Sequence, residues 1–222
     1  MPKPVFLKLT SGDLVLASAS ATRAKLLENA GLGFFQYPVA IDEEAVRDAS
    51  IAEGISASDI AVMLAEMKAA AADQRFAAEF PASPAYILGC DQILVCDETI
   101  YSKPQNSEVA KVQLSALAGK THQLFTAVVL FHNGERIWHH LLVADMTMRR
   151  LDNEFIDSYL GQLGDSAFSS PASYHIESIG VQLFSQIKGC HYGILGIPIL
   201  EVMEILREHG LAPIEHQSRI GS

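Results

Sequence analysis

Residues 14–27, LVLASASATRAKLL, constrain the fold of this chain more than any other stretch. Leu14, Val15, Leu16 and Ala17 form the short apolar run that a buried strand requires. Ser18, Ala19, Ser20, Ala21 and Thr22 follow as a turn of small residues. Arg23, Lys25, Leu26, Leu27 and Ala30 then lay an apolar and a basic face on one helix, which Gly31 ends. Strand, hydroxyl-rich turn and helix N-terminus in succession bring free N–H groups and the positive end of a helix dipole to one spot, a natural anion site. Ser18 and Ser20 can add hydroxyl donors, and Arg23 can reach back one turn with a bidentate fork suited to phosphate. The same residues permit a plainer reading, in which Ser20 or Thr22 is an N-cap and Arg23 is solvated.

Charge limits what such a site can serve. The chain of 222 residues carries a formal net charge of −10, which argues against broad binding to nucleic acid or an anionic membrane. A small anionic ligand stays compatible if basic groups gather locally. Hydrophobic residues make up 49% of the chain and charged residues 19%, the balance of an ordinary globular protein long enough for a substantial core. Lys3 and Lys8 flank only a brief apolar run, so no secretory signal is expected, and no stretch is long enough to span a bilayer. Cys90, Cys96 and Cys190 show no CxxC spacing and read as reduced thiols of a cytoplasmic protein. No HExxH-type pair exists, and His139 and His140 would face apart on a strand.

Further along, residues 34–39 read as a second strand leading into Asp42, Glu43 and Glu44. Three consecutive carboxylates can hold a divalent cation or a water, or can simply open a helix. Residues 45–54 read as a loop ending at Gly54. Ser56 or Ser58 then caps a helix to about Phe80, with Ile60, Val62, Met63, Leu64 and Met67 on its apolar face and Lys68 as a surface lysine. Residues 86–95 form an apolar strand interrupted by Gly89, Cys90, Asp91 and Gln92. A carboxylate inside a central strand is expensive unless bonded or holding a metal, which makes Asp91 the best functional candidate on physical grounds.

A turn at 97–99 and a return strand at 100–104 come next, with Lys103 held extended by Pro104. A helix from Ser107 ends at Gly119. Two long strands between Thr121 and Met148 are joined at Asn133-Gly134, a strong hairpin signal. Lys120 lies where it could touch phosphate, whereas His122 and Thr126 read as strand residues with local bonds. Asp152 caps a short helix over 154–160, a Gly/Ser-rich loop runs to Ser173, and the chain re-enters over 174–184. Pro198 opens a final helix to His209, and the tail after Pro213 is expected to fray.

These motifs, in this order, resemble the Maf family of nucleotide pyrophosphatases. The resemblance rests on Ser18-x-Ser20-x-x-Arg23-x-x-Leu26-Leu27, Asp42-Glu43, the LAxxKA helix around Lys68, Gly89-x-Asp91, Lys103-Pro104, the string from Leu117 to His122 with Thr126, and Gly196-Ile197-Pro198-Ile199. Ala127 stands where the family often has glycine. The resemblance implies an α/β fold: a central mixed, twisted β-sheet flanked by helices, with a cleft between two lobes. It implies one Maf-like domain over 10–210, with terminal extensions at 1–9 and 211–222. It also implies hydrolysis of a nucleoside triphosphate between the α- and β-phosphates. Ser18, Ser20 and Arg23 would cradle phosphate. Lys68 and Lys103 would neutralise developing charge, and Glu43 and Asp91 would hold a divalent metal, magnesium or manganese, and activate water. Homodimerisation is a family expectation.

Base selection in the family turns on three positions, occupied here by Thr22, Gln92 and Glu177. Gln92 and Glu177 are similar to the branch that hydrolyses 7-methyl-GTP, whereas Thr22 fits neither that branch nor the pyrimidine-preferring one. A carboxylate at Glu177 can accept from the N1–H and N2–H₂ edge of guanine and offers little to a thymine or uracil edge. The plainer reading of Glu177 is a strand-end carboxylate paired with a nearby cation. Hydrolysis of other non-canonical or pyrimidine nucleotides, and a non-catalytic nucleotide-binding role in cell division, are the alternatives.

Overall fold

The computed structural model describes residues 14–81 and 83–212. Seven strands form one mixed sheet: β1 (Leu14–Ala17), β2 (Phe35–Gln36), β3 (Tyr86–Cys96), β4 (Thr99–Tyr101), β5 (Thr121–His132), β6 (Glu135–Met148) and β7 (Phe184–Lys188). Their order is β2-β1-β3-β5-β6-β7, with β4 also paired to β3. β1 runs parallel to β2 and β3, and every other pairing is antiparallel. Around the sheet lie α1 (Ala21–Asn29), α2 (Glu43–Ala52), α3 (Ala57–Glu79), α4 (Ser107–Leu117), α5 (Asn153–Leu163), α6 (His191–Ile194) and α7 (Ile199–Glu208). The fold is the expected α/β arrangement of a mixed sheet flanked by helices.

Alternation along the central strands sorts the core into two faces. Leu14, Leu16, Leu88, Cys90, Val128 and Leu130 pack with Leu27 of α1 and Val202 and Leu206 of α7. Val15, Ile87, Ile93, Val129 and Phe131 point the other way, onto Ile60, Leu64, Ala65 and Ala69 of α3. A third cluster gathers Leu94, Leu124 and Met146 from the far ends of β3, β5 and β6 with Leu114 of α4 and Ile156 and Tyr159 of α5. That third cluster is the core of the second lobe.

Several local expectations need correction. Residues 45–54 are not a loop: Asp42 caps α2, its side chain accepting from the Ala45 N–H at 3.0 Å, so the acidic run is the first turn of a helix. On α3 the buried face is Ile60, Ala61, Leu64, Ala65, Lys68, Ala69, Ala72 and Phe76, whereas Met67 is exposed. Alanines win that face because α3 lies so close to β3 that a Cβ at Gly89 would stand 2.3 Å from the Ala65 carbonyl oxygen. The second strand shortens to two residues and the return strand to three. Residues 174–183 form turns and a short 3-10 segment (Ile179–Leu183) before β7 begins. The hairpin at Asn133-Gly134 forms as expected, with both residues at positive φ. The segments expected at 1–9 and beyond Pro213 lie outside the described residues, while Leu211 and Ala212 are buried against the α1–α7 core.

Candidate active site

A break in one edge of β3 creates the site. β1 pairs with β3 as far as Gly89, and β4 takes up that same edge only from Leu94. Between them no strand among the described residues covers the edge of residues 90–93, and its backbone groups need other partners. One of them, the Cys90 carbonyl, accepts from Arg23 Nη1 at 3.0 Å. A cleft of about 800 Å³ opens at this point, beyond the C-terminal end of β1, where open α/β sheets form their ligand crevices.

The turn after β1 forms one wall. Ser20 is the N-cap of α1, its Oγ accepting from the Arg23 N–H at 3.3 Å. Ser18 is buried, and its Oγ accepts both the Ser20 N–H and Arg23 Nη1 at 3.2 Å. Arg23 Nε donates to the Gly196 carbonyl at 2.8 Å. Arg23 is thus a fastener between α1, β3 and the residues before α7, not a solvated side chain, and only part of its fork, chiefly Nη2, remains for a ligand. Gly196, at φ +104°, leaves room for it: a Cβ there would stand 3.0 Å from Arg23 Nε.

At the floor, Lys68 Nζ lies between two carboxylates, 2.6 Å from Asp91 Oδ1 and 2.9 Å from Glu43 Oε1. Lys68 and Asp91 are buried, whereas Glu43, the first residue of α2, is half exposed. The close approach of α3 to Gly89 brings Lys68 within reach of β3. Burial pushes the Asp91 carboxyl above the ordinary aspartate range, and Lys68 pulls it part of the way back. Lys68 was expected on the surface; it is a core residue because two carboxylates compensate it.

Among the described residues no group of three His, Cys, Asp or Glu side chains converges as a ready metal site. Glu43 and Asp91 do present two hard oxygen donors on one side of the cleft. That number suits magnesium, which is commonly held by one or two carboxylates with phosphate oxygens and waters completing its shell. The donor set therefore fits a metal that arrives with a polyphosphate.

The remaining wall carries Lys103, exposed after β4, and Arg47 of α2, whose Nη1 donates to Ser102 Oγ at 2.7 Å. Sequence spacing alone does not reveal Arg47, because a loop over 45–54 gives no four-residue period, whereas α2 sets it one turn beyond Glu43. Lys120 is not in the cleft; it pairs with Asp97 at 3.0 Å. His122 and Thr126 have the local bonds expected of them, His122 Nε2 with the Tyr174 hydroxyl at 3.0 Å and Thr126 Oγ1 to the Gly193 carbonyl at 2.9 Å. Burial lowers the His122 pKa to about 4, so the ring is neutral.

Thr22, Gln92 and Glu177, the positions expected to select the base, also line the cleft. Thr22 Oγ1 donates to Glu177 Oε1 at 3.5 Å, joining the start of α1 to the loop over 169–178. Among the described residues Glu177 therefore has a hydroxyl, not a cation, as its partner. Gln92 Nε2 is surrounded by Thr126 Oγ1 and the carbonyls of Gly193 and Ile194 at 2.8–3.1 Å, which leaves its Oε1 without a protein partner among the described residues. The loop itself is strained, with Ala172 and Ser173 both at positive φ.

Sheet topology and cleft chemistry together describe an α/β protein organised around a crevice lined by Ser18, Arg23, Arg47, Lys68 and Lys103. The family model described as Maf-like protein matches residues 13–209, and the chain belongs to that family. It is 42% identical over 196 residues to a nucleoside triphosphate pyrophosphatase of Paramagnetospirillum magneticum, covering 88% of this chain and 98% of the relative. A 7-methyl-GTP pyrophosphatase of Brucella abortus is 43% identical over 195 residues, 87% of this chain and 94% of its own. Another 7-methyl-GTP pyrophosphatase, from Rhizobium meliloti, is 41% identical over 197 residues, 89% and 96% of the two chains.

Proposed function

We propose that this protein is a nucleoside triphosphate pyrophosphatase that cleaves the bond between the α- and β-phosphates, with 7-methyl-GTP as the preferred substrate. The observation that carries the reading is the Glu43–Lys68–Asp91 arrangement at the sheet break, beside the α1 N-terminus. Relatives named for this activity support it along nearly the full chain. The reaction needs an aligned water and neutralised charge more than a covalent nucleophile. The oxygen of water forms a bond to the α-phosphorus, the bridging P–O bond to the β-phosphate breaks, and pyrophosphate leaves with that electron pair. Asp91, its Oδ1 on Lys68, takes the proton from the water. Lys68 and Lys103 offset the charge that develops on the phosphates, while Ser18, Ser20 and Arg23 hold the nucleotide at the helix N-terminus. Glu43 and Asp91 would hold a magnesium or manganese ion, which would supply charge neutralisation and a more acidic water.

Base choice follows from acceptors. Oε2 of Glu177 and Oε1 of Gln92, neither with a partner among the described residues, offer a purine donor edge what it needs. Methylation at N7 adds a positive charge that a carboxylate favours. The proposed setting is cytoplasmic, where thiols such as Cys90, Cys96 and Cys190 stay reduced, with a homodimer as the working form and neither nucleic acid nor membrane as partner. No described helix is long and apolar enough to cross a membrane.

Pyrophosphate release from a panel of 7-methyl-GTP, GTP, ITP, UTP and dTTP with magnesium or manganese tests the reading, with Asp91→Asn alongside. Turnover should be highest on 7-methyl-GTP and fall by roughly 10²–10⁴ in the mutant. Activity confined to pyrimidines would keep the reaction and overturn the base assignment. Binding without turnover would point instead to a nucleotide-binding regulator.

A further inference from the structure

We propose that Arg47 is a substrate-binding residue that, with Lys103, holds the leaving pyrophosphate. The proposal rests on the pyrophosphatase reading and adds to it a residue and the part of the substrate that it touches.

Three observations carry it. Arg47 lines the cleft, yet among the described residues its buried Nε has no hydrogen-bond partner, and its one bond runs from Nη1 to Ser102 Oγ. A buried guanidinium N–H without an acceptor is costly, and such a group in a native site calls for a partner that arrives from outside. Second, Arg47 makes no ion pair among the described residues, although Glu43 lies four positions earlier on α2, where helical spacing would allow one. Glu43 turns to Lys68 instead. Lys103, next to Ser102 on the same wall, likewise has no carboxylate partner among the described residues, so two uncompensated cations face one end of the cleft in a protein of net charge −10. Third, the order of groups along the cleft matches the order of a nucleotide. Thr22 and Glu177 mark the base end, Ser18 and Arg23 lie beside them, Asp91, Lys68 and Glu43 mark the reacting bond, and Arg47 comes one helical turn beyond Glu43. A group at that place meets the β- and γ-phosphates. Arginine suits them because its planar fork binds two phosphate oxygens at once.

Product inhibition separates this role from a structural one, since only one product carries the phosphates that Arg47 would touch. Wild type, Arg47→Gln and Arg47→Lys are assayed at fixed magnesium, with inhibition by inorganic pyrophosphate and by the nucleoside monophosphate measured for each. A charged hydrogen bond of ordinary strength corresponds to roughly ten- to hundredfold in affinity. Arg47→Gln should weaken pyrophosphate inhibition and raise KM for the triphosphate by that factor, with monophosphate inhibition unchanged. Arg47→Lys, which keeps the charge and the helix but loses Nε–H and the fork, should fall between. Unchanged pyrophosphate inhibition in both variants overturns the proposal, as does parallel weakening of both products. Absence of turnover by the wild type on every triphosphate is a different result: it removes the underlying reading and this assignment with it.

Discussion

Asp91 shows how one residue's environment sets its chemistry. On β3 it faces α3 at the floor of the cleft, and burial alone would raise its carboxyl pKa above the usual range. Lys68 at 2.6 Å favours the anion and offsets part of that shift. The same balance fixes a pH dependence. Ionised Asp91 accepts the proton in the proposed reaction, so the acid limb of the kcat profile should lie above 3.8, the ordinary aspartate value. The sign for stability runs the same way: the folded state holds the Asp91 proton more tightly than the unfolded chain, so this group favours folding in acid and loses that contribution as pH rises through the folded pKa. Replacing Lys68 with Met removes the group that lowers the pKa. The acid limb of any residual activity should then move to higher pH, and rate measurements from pH 4 to 9 would show it. An acid limb that stays put in Lys68→Met would mean that another group sets it.

At the level of elements, the site depends on how closely α3 approaches β3. The sequence made the strand, the hydroxyl turn, the Asn-Gly hairpin and Asp91 legible, because each is written in a few adjacent residues. It concealed the α3 face, since a run of alanines at 69–72 has no marked period and the burial of Lys68 follows from contacts with Glu43 and Asp91, distant in sequence. Arg47 stayed hidden for a related reason: its role depends on α2 being a helix and on Ser102, 55 positions away. The bonds of Gln92 to the carbonyls of α6 are likewise tertiary facts. Gly89 is the element-level control. An added Cβ would lie 2.3 Å from the Ala65 carbonyl oxygen and 2.8 Å from Ala69 Cβ, both parts of the helix body that cannot rotate away. Gly89→Ala should therefore lever α3 off β3 near Lys68, cost about 1–3 kcal/mol and reduce turnover more than nucleotide binding. Chemical denaturation and steady-state kinetics on the same preparation would check both parts; an unaltered protein would mean that the helix adapts freely.

Across the whole molecule, an acidic chain must admit a polyanion. Net charge −10 repels a nucleotide triphosphate at long range, whereas Arg23, Arg47, Lys68 and Lys103 attract it only within the cleft, where Glu43 and Asp91 already offset Lys68. The two effects act over different distances. At about 0.1 M salt the Debye length is about 10 Å, short enough to screen the diffuse acidic surface but longer than a direct contact between a guanidinium and a phosphate. Long-range repulsion should fade first as salt is added. With magnesium fixed, kcat/KM for the preferred triphosphate should rise as ionic strength increases from about 10 to about 100 mM, because association improves while the contacts made in the cleft persist. At higher salt the slope should reverse, as the partly exposed Lys103 and Arg47 lose their hold on the phosphates. A steady fall from the lowest salt upwards would mean that the four cations govern the field well outside the cleft, and that the acidic surface exerts no control over substrate entry.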